Sequence, residues 1–176
     1  MKFLTDLRLL LVAIWLGAAV FFIGVAQSAF SVLPQREMAG LVVNRTLAIL
    51  NFSGLGIFAV LLLTSFVRSA LYKRPVLWAE RILLLIAGAA CAVGQFVFGF
   101  WIAMKRAEIG RPIDELAVDD PLRIQFNMLH EYSVWTLMVA MGAGFLAFWL
   151  VANRRPSTLK KDPLSVPYDF EKEFKI

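Results

Sequence analysis

The sequence predicts an all-α integral membrane protein, a four-helix bundle with both termini cytoplasmic. Three observations carry this. Four apolar stretches, Leu9–Leu33, Leu47–Val67, Ile82–Met104 and Val134–Ala152, each approach the roughly 20 residues a helix needs to cross about 30 Å of hydrocarbon. The 176 residues are 60% hydrophobic, above the roughly 45–50% usual in soluble domains. The 18 Lys and Arg residues are also unevenly spread. An even number of spans puts both termini and the central loop on one side, which then carries twelve of them against six. Basic residues accumulate on cytoplasmic loops, so the bias orients the chain. In lipid each backbone N–H and C=O must be satisfied within its own segment, which makes the helix the only stable form for such stretches.

The first span begins with Lys2 and Arg8, and Ala26-Gln27-Ser28 loosely resembles a cleavage site. The apolar run is too long for a typical 7–15-residue signal h-region, so a retained helix is expected, with Trp15 as a packing residue. The second helix meets no breaker but Gly40 between Glu37 and Arg45, so it should start before its apolar core. The third carries the lone Cys91, which excludes an intramolecular disulfide and reads as a small buried hydrophobe. Before the fourth, Asp119-Asp120-Pro121 reads as a helix start, an acidic cap followed by Pro at the first helical position. The fourth helix would then run about 32 residues, or about 48 Å. Helices 2 and 4 should thus extend beyond the membrane on the outer side. Trp101, Tyr132 and Trp135 mark the expected outer boundary, and Tyr72, Trp78 and Trp149 the inner one.

Two units result: a four-span domain, residues 1–153, and a charged cytoplasmic tail, residues 154–176, with Pro156, Pro163 and Pro167. The tail should be extended unless a partner holds it. Gly17, Gly24, Gly54, Gly88, Ala92, Ala140 and Gly144 mark the expected contact faces, because helices in lipid associate through close packing at small residues.

Polar residues within spans are costly unless they pair or face a cavity. Gln27, Asn44, Asn51 and Gln95 fall near the outer end of the first three helices. Asn127, His130 and Glu131 are neighbours at i, i+3 and i+4 on the fourth, with Ser133 following. The cluster has two readings, an outward-facing polar vestibule or a hydrogen-bonded network that fixes helix register. A cavity reaching Gln95 would favour the first; direct hydrogen bonds among these side chains would favour the second. His130 is the only histidine, so bis-histidine haem is excluded within one chain. A metal would need Met128, Glu131, Cys91 or a second subunit to complete its ligands, and no metal or cofactor is expected.

The net charge of +5 is explained by membrane topology, and no basic run interleaved with aromatics suggests nucleic acid. No phosphate loop, nucleophile elbow or HExxH motif occurs, and Asp114, Glu115, Asp119 and Asp120 suit a solvated loop better than acid–base chemistry. No catalytic residue is expected.

Trp15-Leu-Gly leading to Leu33-Pro34, together with Leu122 to Ser133 containing Phe126 and His130, resembles the transmembrane-protein-205-like family. The resemblance implies four membrane helices and draws Trp15, Phe126, His130 and Ser133 forward. It implies no settled activity. Trp135-Thr136-Leu137 stands where members of that family often carry Asn. The expected function is therefore a structural, assembly or accessory subunit of a membrane complex in the inner or plasma membrane. Its partners would be the bilayer and other membrane subunits. The alternative is a small dimeric transporter or metal-handling protein with its polar site around His130.

Overall fold

The computed structural model describes residues 2–67 and 74–153. Four long apolar helical rods run up and down, and each is long and apolar enough to cross a membrane. They are α1 (Lys2–Val32), α2 (Arg36–Val67), a third rod made of α3 (Arg74–Ala92), a π-helical stretch (Val93–Phe98) and α4 (Gly99–Ile109), and finally α5 (Pro121–Ala152). The extended starts of α2 and α5 are as expected, with α5 spanning 32 residues. The first and third helices run beyond their apolar stretches. α1 begins at Lys2, not Leu9, and the third rod begins at Arg74, not Ile82, and continues past Met104 to Ile109. The apolar windows mark the hydrocarbon-length core, and nothing in the flanking polar turns breaks the helix. Pro75 sits in the first turn of α3, where its missing N–H costs nothing. The tail 154–176 and Tyr72 lie outside the described residues.

α1 packs on α2 and α5, and α3 on the same two helices, so α1 and α3 face one another across the bundle. The centre is Trp15 from α1. Its ring meets Phe58 edge to face at 4.8 Å, and its Nε1–H donates to the Leu50 carbonyl at 3.1 Å. That bond gives the indole a partner inside the bundle, as a buried Trp requires. Gly54 allows this approach. A Cβ there would stand 2.6 Å from Trp15 Nε1 and 2.8 Å from Cys91 Sγ, closer than atoms pack. Gly88, Gly144 and Ala140 also lie at helix contacts. Gly17 and Gly24 do not; both face open space, so the expectation that they mark contact faces is corrected.

The two ends of the bundle differ. At the end where α1 begins and α5 stops, Arg8 is buried and donates to Glu80 Oε1 at 2.5 Å and to the Thr64 hydroxyl. Arg81 beside it donates from Nε to Ser65 Oγ at 3.0 Å and from Nη2 to the Ser65 carbonyl at 3.1 Å. It thereby caps the last turn of α2. Arg8, counted above only towards the charge bias, is therefore a member of an internal ion pair. The opposite end, called the loop end below, holds the Leu33–Gln35 connection and the segment from Gly110 to Asp120. Gly110 closes α4 in the left-handed conformation at φ +64°, its N–H donating to the Arg106 carbonyl at 3.1 Å. Asp120 caps α5, its carboxylate accepting from the Leu122 N–H at 2.8 Å.

Candidate ligand-binding cavity

The loop end encloses a cavity of about 330 Å³ between α2, the π-helical stretch, α4 and α5. Its size is at the lower end of the roughly 300–1,000 Å³ typical of small-molecule sites. Three tiers of side chain line it. Asn51, Gln95 and Ser133 form the deep end; Phe30, Val43, Leu47, Ile102 and Phe126 form an apolar waist. Arg36, Glu37, Arg106, Arg111, Asp114 and Arg123 form the mouth, with Asn44, Asn127 and His130 along the wall.

Local winding of the third rod shapes the deep end. On α3 the buried positions Leu77, Glu80, Leu84, Ala87 and Cys91 recur three and four residues apart. From Val93 to Phe98 the rod widens into a π-helix, closed by the Gly99 N–H on the Gly94 carbonyl five residues back. That widening brings Gly94, Gln95 and Gly99 together onto the cavity wall. A Cβ at Gly94 would come within 3.3 Å of Asn51 Nδ2, so the glycine keeps room for the amide. Short π-helical interruptions are rare and frequently accompany functional sites.

Asn51 is 4% exposed, yet its side chain makes no hydrogen bond within the protein among the described residues. The same holds for Gln95, Asn127 and His130. The Asn51 amide opens onto the cavity, where a water or ligand can supply the partner that a buried amide would otherwise lack at a cost of about 1–3 kcal/mol. The polar residues are thus gathered around a space, not bonded to one another. Of the expected cluster, Asn44, Asn51, Gln95, Asn127, His130 and Ser133 line the cavity. Gln27 and Glu131 are exposed and stand off its wall. Cys91 lies in the core against Gly54 and takes no part. Among the described residues no three His, Cys, Asp or Glu side chains gather as a metal site.

The mouth was missed by sequence reasoning, which used its arginines only to orient the chain. Arg36 Nη1 lies 3.5 Å from Asp114 Oδ1, both side chains well exposed, and Arg123 Nη1 donates to the Leu116 carbonyl at 2.7 Å. Arg106 lies across α2 at Gly40, where a Cβ would be 2.9 Å from Nη2. Neither Arg106 nor Arg111 has a hydrogen bond or ion pair among the described residues. A signal was available. Arg36 and Arg123 sit in the first turns of α2 and α5, the positive ends of their helix dipoles, where basic residues are disfavoured. Cations placed against the dipole suggest a role other than stabilising the helix.

Neither a curated protein nor a solved structure matches the chain significantly. A family model does, over residues 10–110, which runs from within α1 to the end of α4 and so contains Trp15, Gly54, Asn51 and the π-helical stretch. With more than half of its length matched, the chain belongs to the family described as domain of unknown function DUF4149.

Proposed function

We propose that this protein is a non-catalytic membrane protein whose loop-end cavity binds a small polar ligand from the outer side. The observation that carries the reading is the buried Asn51 amide, which lines a cavity of about 330 Å³ without a partner among the described residues. A bundle end sealed for helix register alone would join its amides to each other, since an unpaired buried group destabilises it. Orientation with both termini cytoplasmic is supported by the basic bias of the sequence. The narrower kinship to the transmembrane-protein-205-like family belongs to the same proposal, and Phe126, His130 and Ser133 of its motif all line the cavity.

The test is chemical. Gln95→Cys in a Cys91→Ala background, reconstituted in sealed vesicles, is treated with a membrane-impermeant thiol reagent. Complete labelling from the face opposite the termini is expected. An unreactive Cys at position 95 would close the cavity to water and return the protein to the structural or accessory role. Support for that second role would then have to come from the 154–176 tail.

A further inference from the structure

Building on the reading of this cavity as a ligand site, the mouth specifies the chemistry of what enters. Four guanidinium groups, Arg36, Arg106, Arg111 and Arg123, face two carboxylates, Glu37 and Asp114. Two positive charges are therefore in excess on the cavity wall, while the acidic residues Glu108, Glu115, Asp119, Asp120 and Glu131 of the same end stand off it. The weak Arg36–Asp114 pair and the Arg123 bond to the Leu116 carbonyl occupy two of the guanidiniums in part. Arg106 and Arg111 are left with their donors unengaged among the described residues. The N-termini of α2 and α5 at this end are offset by the C-termini of α1 and α4, so the positive excess rests on the guanidiniums and not on helix dipoles. A guanidinium presents a planar fork of donors that matches a tetrahedral or planar oxyanion bidentately. Below the mouth, the apolar waist would surround a carbon skeleton, and Asn51 and Gln95 could hydrogen-bond its far end.

We propose that the loop-end cavity of this protein binds a phosphate group, clasped at the mouth by Arg106 and Arg111, on a small organic ester whose polar end reaches Asn51 and Gln95. A dianionic phosphomonoester neutralises the charge excess, which a single carboxylate does not. Two sources present the same chemistry: a soluble phosphate ester, or the headgroup of a phosphate-bearing lipid leaning into the mouth from the outer leaflet.

The experiment uses the full-length protein in nanodiscs. In discs of phosphatidylcholine alone, glycerol 3-phosphate binding is followed by calorimetry at two salt concentrations. In parallel, discs containing phosphatidic acid are analysed by native mass spectrometry for retained lipid. Saturable glycerol 3-phosphate binding identifies the soluble source; selective retention of phosphatidic acid with no soluble binding identifies the lipid source. In either case Arg106→Gln/Arg111→Gln is expected to weaken binding at least tenfold. Arg45→Gln/Lys105→Gln, which removes two charges at the same end but off the cavity wall, should change it less than twofold. The proposal is overturned if neither probe binds, or if both double variants lose binding equally, which would mean surface charge alone. Thiol labelling at position 95 separates the two failures. A labelled, water-filled cavity that ignores phosphate keeps the ligand-site reading and removes the phosphate.

Discussion

The two ends of the bundle handle buried polarity in opposite ways. At the terminal end Arg8 and Glu80 sit almost fully inside, 2.5 Å apart, with the Thr64 hydroxyl on the guanidinium. The space left beside them is about 10 Å³, at the lower limit for a single water. At the loop end the buried Asn51 and half-buried Gln95 border a space some thirty times larger and bond to nothing in the protein among the described residues. One end pairs its charges with each other; the other turns its amides towards a cavity. The difference separates polar groups that hold helices together from polar groups kept available for something outside.

The largest expected effect breaks the closed end. Glu80→Ala leaves the Arg8 guanidinium buried without its carboxylate, and removing one member of a buried pair costs about 3–5 kcal/mol. Thermal unfolding in detergent should show it plainly. Replacing both partners together, Arg8→Met with Glu80→Leu, should recover most of the loss, because the remaining charge goes with it. If the double variant is as damaged as the single one, the pair's role is not electrostatic but a matter of packing against Leu61 and Leu84.

Next in size is the wedge between the two ends. Gly54→Ala drives a Cβ into Trp15 Nε1 and Cys91 Sγ, and overpacking of this kind typically costs about 1–3 kcal/mol. Cys91→Ala in the same chain removes one of the two clashing atoms and should restore part of the stability. A Gly54→Ala protein as stable as the parent would show that α1 can retreat, and the Trp15–Leu50 hydrogen bond would then be dispensable. Smaller again is Asp120→Ala, which removes the cap of α5 and should cost about 1 kcal/mol. Faster amide exchange confined to the first turn of α5 is the signature. Spread of that exchange to Ser133 would mean that the mouth and the deep end of the cavity open as one unit.

How far the sequence could be read follows the same division. The spans, the long α5 and its Asp120-Pro121 start were legible because hydropathy and caps are local signals. Trp15 as a packing residue was legible for its depth in the span. The Arg8–Glu80 pair was not, because its members lie 72 positions apart and each alone resembles a loop charge. The three- and four-residue spacing of Leu77, Glu80, Leu84 and Ala87 is the signal that could have placed the carboxylate on the inward face of α3. Six of the eight polar candidates line the cavity, since depth along each helix can be counted. Gln27 stands off the wall because depth does not fix azimuth, and the rotation of α1 is set by Trp15 seating against α2. The π-helical widening at Val93–Phe98 has no signature in residue type, so the gathering of Gln95 with Gly94 and Gly99 could not be foreseen.

The smallest stability effect carries the most information about the open end. Asn51→Leu removes an amide nearly as buried as Glu80, so by burial alone it should be damaging. The contrast between the ends predicts otherwise. No hydrogen bond within the described protein is lost, the cost of an unpaired amide is relieved, and the larger leucine has the cavity beside it to take up its extra volume against Leu47 and Val43. Unfolding of the empty protein should therefore shift by less than about 1 kcal/mol in either direction. Affinity for the ligand should fall at the same time, because the deep hydrogen-bonding group is gone. A variant that unfolds several degrees earlier with binding intact would place Asn51 among the groups that hold the bundle, and the two ends would differ only in how tightly they are closed.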